Sequence, residues 1–330
     1  MQVIPAALAA GEIAGSTNDA VIAAIVVGYE VTARLFRAFA LTHPRHPHGH
    51  LGAVGAAVAV ARLYDVDATE AASIAATSPL ATSWNACLEG ATARNTWMGQ
   101  AAASGVTAAL LAEAGFRGSH TSLSDVFGDP SSTEPLTEQF DLAYPALGTG
   151  YYKLHSACAL THAALDAVFA VAPRVRGPIE AVHVETVENN MKIAVPAQHN
   201  DLSTRFSLPY AVATALVRGA TDADALRWRP EVAELERRVT VSVASDLQAS
   251  WPAKSPARVT VSTASGSWSE LVENPHGYWT DPLSTAELED KFTRNVGSRR
   301  GWAHIAAMAT SPAAAFTLPG AFPPDGEHDG

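Results

Sequence analysis

The chain has 330 residues, 48% hydrophobic and 17% charged, so it can bury a large core, is excluded from the disordered class, and is long enough to favour two domains over one. A formal charge of -11 and a pI near 5.5 argue against nucleic acid or an anionic membrane as the main partner, and leave small anions gathered by local cations as the ligand class to look for. Cys87 and Cys158 are the only cysteines, too few for a disulfide scaffold or for an iron–sulfur cluster.

The start, MQVIPAALAAGEIAG, has no positive n-region, and no run reaches the roughly 18 to 20 apolar residues of a membrane span, so a cytoplasmic protein with no membrane contact is expected. From Ile4 to Phe39 the pattern is Ala-rich and helical, with Ser16-Thr17-Asn18-Asp19 as a capping cluster before a buried helix. Thr42 to Gly55 then reads THPRHPHGHLGAVG. Pro44 and Pro47 cannot sit inside a regular helix and push the preceding residue to an extended conformation, so His43 and His46 are expected on an exposed, non-helical connection, with His48 and His50 close behind. Imidazoles held between helices suit proton chemistry near neutral pH; a plain surface cluster or a metal-collecting His tract is the competing explanation. The apolar runs on both sides favour function, because they pin the loop to a core.

Leu51 to Leu63 is a small-residue helix, and Asp67-Ala68-Thr69-Glu70 caps a third helix, Ala71 to Ser78. Cys87 to Gly99 is a polar turn, followed by a helix from Gln100 to Ala114. Arg94 stands in nearly uncharged surroundings; a guanidinium keeps its charge, so a half-buried one needs an anion, either Glu89 or a substrate carboxylate. Ser119 to Gly150 reads as a long connection. Directly after it, Lys153 and His155 lie ahead of a helix spanning Leu160 to Ala172, where backbone N–H groups and the dipole favour anions.

Beyond Pro173 the pattern alternates. Strands are expected at Ile179 to Val187, Val239 to Val243 and Arg258 to Thr263, with Ala264 to Ser267 as a hairpin connection into Trp268 to Glu273. Arg205 to Arg218 is a helix with Pro209 near its first turn, and the region as a whole is α+β with helices on one side of a sheet. Ser284 to Asn295 opens with a capping box, Glu287 at N3, and should return to the helical part. The expected fold class is mainly α plus α+β: a helical domain over 1–150, a smaller α+β lid over 151–280, a helical return over 281–312, and a disordered tail over 313–330.

These pieces resemble the MmgE/PrpD family, which includes 2-methylcitrate dehydratase, cis-aconitate decarboxylase and iminodisuccinate epimerase. The matching stretches are IPAALA and AAIVVGYEV near the start, HPHGHLGAVGAA at 46–57, EGATARNTWMG at 89–99, YKLHSAC at 152–158, RFSLPYAVA at 205–213 and DPLSTAELEDKF at 281–292. Their order and spacing cover most of the chain. The resemblance implies a cleft between a helical domain and a lid, and chemistry with no metal or organic cofactor. It carries the family's His-Pro histidine onto His46 and its lysine at the lid entrance onto Lys153. Arg94 falls where many members have Lys, and His48 where a small residue is more usual. It also implies an additional helical segment ahead of the matched part, contributing an Asp-rich motif, which a complementary subunit is expected to supply.

The expected reaction is dehydration of a citrate-like di- or tricarboxylate, of the 2-methylcitrate or 2-alkylcitrate type. Removing a proton beside a carboxylate and expelling a hydroxyl from the next carbon needs a base, an acid and cations for the carboxylates. His46 is the preferred base or acid, Lys153 pairs a carboxylate or passes a proton, and Arg94 clamps another carboxylate. His155 and His48 serve orientation or proton transfer. Decarboxylation or epimerisation of a related acid begins with the same carbanion, and a non-catalytic regulatory subunit is the alternative from a different class. A homodimer or hetero-oligomer is expected from the resemblance.

Overall fold

The computed structural model describes residues 2–39, 41, 44–49, 51–77, 82–127, 146–297 and 299–317. His43 and His50 of the His-rich loop therefore lie outside the described residues, as do 128–145 of the long connection and 318–330 of the expected tail. The chain divides into two compact units. One comprises Met1–Trp84, Ala93–Thr149 and Leu288–Gly330, the other Asn85–Thr92 and Gly150–Glu287.

The first unit is helical. Helix α1 (Val3–Ile13) leads to α2 (Asn18–Ala38), whose start is fixed by Thr17: its hydroxyl accepts the Ala20 N–H, as the capping cluster predicts. Helix α3 (Gly52–Tyr64) is the centre. Every residue from Gly52 to Ala61 is buried, and the helix packs against α1, α2, α4 (Ala68–Thr77) and α6 (Trp97–Glu113). So many helices fit around it because the contact residues are small. A Cβ on Gly28 would strike the carbonyl of Gly55, and a Cβ on Gly55 would strike both the carbonyl of Gly28 and the Thr32 hydroxyl, so α2 and α3 touch backbone to backbone. Asp67 accepts the N–H groups of Thr69 and Glu70 at 2.8 and 3.3 Å and thereby starts α4, as expected from its capping sequence.

The long connection contains more order than its composition suggests. It carries a short helix, α7 (Ser122–Phe127), and a 3-10 turn at Ala146–Thr149. The Glu30 carboxylate on α2 accepts the N–H groups of Ala146 and Leu147 at 2.8 and 2.7 Å and the Arg34 Nε at 3.1 Å. Its burial opposes ionisation, yet these donors hold its pKa below the usual carboxylate value. The last helix, α13 (Arg299–Thr310), packs on α2, and Ala315 bridges Thr17 while Phe316 is buried. The part of the expected tail at 313–317 is therefore ordered, because Phe316 gains an apolar contact that its Pro- and Gly-rich surroundings conceal.

The second unit is α+β, as expected. Its sheet has the order β2-β1-β3-β4, with β1 (Ile179–Thr186) parallel to β2 (Val239–Val243) and antiparallel to β3 (Ala257–Thr263), which pairs antiparallel with β4 (Gly266–Val272). Val182, Val184, Val259 and Val261 form its buried face, with α8 (His162–Val171) packed against β3 and β4. Helix α9 (Leu208–Arg218) starts at Ser207, whose Oγ accepts the Tyr210 N–H, with Pro209 in the first turn as predicted. Two short helices, α10 (Pro230–Glu236) and α11 (Ser245–Gln248), are too brief to leave a periodic signature. Helix α12 (Thr285–Val296) has its capping box: the Ser284 N–H and hydroxyl donate to Glu287 at 2.8 and 2.7 Å.

One boundary differs from expectation. Residues Asn85–Thr92, counted with the helical domain, group with the α+β unit. The turn after α5 (Trp84–Leu88) lies against Asn200, whose side-chain amide donates to the Glu89 carbonyl at 3.1 Å and fills the space beside Gly90.

Candidate active site

In the helical unit the loop bearing His46 and His48 forms a short two-stranded pairing. Arg45 bridges Ser83, the His46 N–H donates to the Thr82 carbonyl at 3.1 Å, and the Trp84 N–H donates to the Pro44 carbonyl at 2.9 Å. The prolines keep this segment extended, which lets it pair instead of coil. The Thr82 hydroxyl lies 2.9 Å from the His46 carbonyl and 2.6 Å from that of His48, so one residue pins both backbones.

The loop is non-helical as expected, but His46 is not exposed: only 2% of it is accessible. Trp84 and Trp97 cover its ring at centroid distances of 4.4 and 5.3 Å, and His48 meets it edge-on at 4.5 Å. Sequence reading places the loop outside because it counts prolines and histidines; the covering tryptophans come from other segments. The Nδ1 of His46 accepts the backbone N–H of His48 at 3.1 Å, which places the proton of the neutral ring on Nε2. The guanidinium of Arg94 donates through Nη2 to His48 Nδ1 at 3.0 Å and lies 5.9 Å from the Trp97 ring centroid. Thus His46, His48 and Arg94 form one group, in which Arg94 and His48 are partly exposed and His46 is buried. Trp97 falls three positions after Arg94 in the EGATARNTWMG stretch, a spacing that hints at the contact.

In the α+β unit Lys153 lies outside any helix or strand and is exposed. His155 is buried, with Nδ1 2.6 Å from the Thr221 hydroxyl and Nε2 2.9 Å from Asp166 Oδ1, and its ring stacks on Phe169. Both nitrogens are engaged, an arrangement suited to orientation. His162, fully buried, receives the Tyr151 hydroxyl at Nδ1 in a short contact. Burial foremost, then the negative charges of Asp166 and Cys158, pushes the Tyr151 phenol far up, so it stays a proton donor.

His276 lies between two carboxylates, with Nδ1 2.8 Å from Asp281 and Nε2 2.7 Å from Glu287. Two carboxylates can only accept, so this geometry favours the imidazolium, in which both nitrogens donate. Its burial favours the neutral form, but the hydrogen bonds and charges of Glu287 and Asp281 win and raise its pKa above the ordinary 6.5. Glu287 is lowered to about 2, first by the Ser284 hydroxyl and N–H and then by His276. A raised histidine stabilises fully below 6.5 and loses that contribution as pH climbs through its folded value; a lowered carboxylate contributes above its ordinary 4.5 and loses it as pH falls toward about 2. The group is therefore strongest between those two ordinary values. His276→Gln should lower the melting temperature more at pH 5.5 than at pH 9 by thermal unfolding, and an equal loss at both would refute the assignment.

Two family descriptions match the chain: the MmgE/PrpD N-terminal domain over residues 1–129 and the MmgE/PrpD C-terminal domain over residues 155–309. Human (Homo sapiens) cis-aconitate decarboxylase is 26% identical over 315 residues, covering 86% of this chain and 63% of that protein. Among the described residues no helix is long and apolar enough to cross a membrane.

Proposed function

We propose, from the premise that the chain belongs to the MmgE/PrpD family, that it is a lyase acting on a citrate-like di- or tricarboxylate, by dehydration of a 2-alkylcitrate type substrate. One observation carries the reading: Arg94 is held on His48 at 3.0 Å, and His48 stands edge-on to His46, so a fixed cation and two imidazoles share one place. A substrate carboxylate pairs with the Arg94 guanidinium, whose planar fork suits that partner. An imidazole whose Nδ1 has given up the hydrogen bond it accepts removes the proton beside a carboxylate, the C–O bond on the neighbouring carbon breaks, and the hydroxyl leaves as water with a proton from the Nε2–H of the other imidazole. Lys153 supplies a second cation for carboxylate binding or that proton. His155 and Asp166 orient it and do not meet substrate.

A decarboxylase is the second reading, favoured by the human relative, whose name states that activity. There the bond to a carboxylate carbon breaks, carbon dioxide leaves, and the carbanion takes a proton from the same imidazole group. Incubation with 2-methylcitrate, cis-aconitate and iminodisuccinate separates the readings. Alkene absorbance growing with 2-methylcitrate supports dehydration, and carbon dioxide from cis-aconitate supports decarboxylation; turnover of neither by the chain, alone or mixed with the product of an adjacent gene, sinks both. Activity only in the mixture supports the complementary subunit, in a hetero-oligomer. The chain spans about 63% of the length of the curated relative it matches, so activity, substrate and partners are all part of this proposal.

A further inference from the structure

We infer that Asp166 is the positioning residue for Lys153, a single carboxylate that ties down the chain on both sides of that amine. The inference rests on the use of Lys153 proposed above. After Lys153, His155 Nε2 donates to Asp166 Oδ1 at 2.9 Å, and the next residue, Ser156, gives its N–H to the Thr221 carbonyl at 3.0 Å. Before Lys153, the Tyr152 N–H donates to the Gly277 carbonyl at 2.9 Å. Gly277 is itself held because the neighbouring His276 N–H donates to the other Asp166 oxygen, Oδ2, at 2.8 Å, and because the Gly277 N–H donates to the Asp281 carbonyl at 2.8 Å.

Both flanks thus converge on one side chain. Asp166 stands on α8, whose neighbouring Leu165, Ala167 and Val168 are fully buried, so the anchor belongs to the core and not to a loop. Gly277 adopts φ +94°, and a Cβ there would strike the Tyr152 carbonyl, so the contact in front of Lys153 is backbone on backbone. A lysine reaches its target on a flexible four-carbon stem, and the protein controls that reach chiefly through where the stem begins. Asp166 sets that origin from both sides, without touching substrate. His276 reinforces the same loop through Asp281 and Glu287.

The test compares wild-type protein with Asp166→Asn, which keeps one acceptor oxygen where two are needed, and with Gly277→Ala, which displaces Tyr152 from the opposite side. Acetic anhydride labelling of Lys153 is followed by mass spectrometry relative to Lys254 in the same molecule, a lysine held by Glu273 at 2.7 Å. Turnover of the substrate found active is measured alongside. Both variants should change the Lys153 to Lys254 labelling ratio, and kcat should fall by about 10²-fold with a smaller change in KM, the scale expected when a reacting group is misplaced by about 1 Å. Should Asp166→Asn fail to fold, Gly277→Ala carries the same test. An unchanged labelling ratio in a folded variant overturns the positioning role. A changed ratio with full turnover upholds it and instead removes Lys153 from the reaction.

Discussion

His46→Asn should lower turnover by about 10²- to 10⁴-fold, the range for removing a general acid or base, while the protein keeps its fold. Asn is the informative replacement because His46 is 2% exposed beneath Trp84, Trp97 and His48. Alanine would open a void there and confuse lost packing with lost chemistry. The Asn carbonyl can stand near the position of Nδ1 and accept the His48 N–H, now at 3.1 Å, but it cannot exchange a proton at neutral pH. The measurement is kcat on the substrate identified by the panel, with the melting temperature as the control. Full turnover in a folded variant would assign His46 to packing alone and move the proton transfer to the more exposed His48.

Gly55→Ala should be strongly destabilising to the helical unit. The added carbon meets a carbonyl of α2 and the Thr32 hydroxyl, and α3 has no free side toward which to retreat, since it is buried from Gly52 to Ala61. Overpacking a dense core costs typically 1 to 3 kcal/mol, and with backbone on both sides of the collision the loss should reach about 3 kcal/mol or more. Gly99→Ala makes the contrast. It lies exposed in α6 with nothing near its added carbon, so it should stabilise by about 0.5 to 1 kcal/mol through helix preference alone. Urea unfolding of both variants measures the difference, and a Gly55→Ala midpoint equal to wild type would show that α2 and α3 separate easily.

The two expectations concern different levels of the molecule. Gly28 and Gly55 set how closely α2 approaches the helix that begins beside the His-rich loop, and the loop's own pairing with Thr82 and Trp84 sets the imidazoles. A change at Gly55 is therefore read in stability, and a change at His46 in chemistry.

Read alone, the amino-acid order determined what depends on neighbours along the chain: the caps at Thr17, Asp67 and Ser284, the strands that begin at Ile179 and Val239, and the Pro-enforced extended loop. Cap geometry and side-chain periodicity act within a few residues, so they are visible without a fold. It also marked His46, His48 and Arg94 as chemically unusual. Only the tertiary structure decided that these three meet, that two tryptophans bury the first of them, and that Asn85–Thr92 group with the α+β unit. The same holds for Asp166, which joins His155 to a loop 110 positions further along. Contacts of that kind are chosen by which buried surfaces fit together once the chain has condensed, and no short stretch of residues contains that choice.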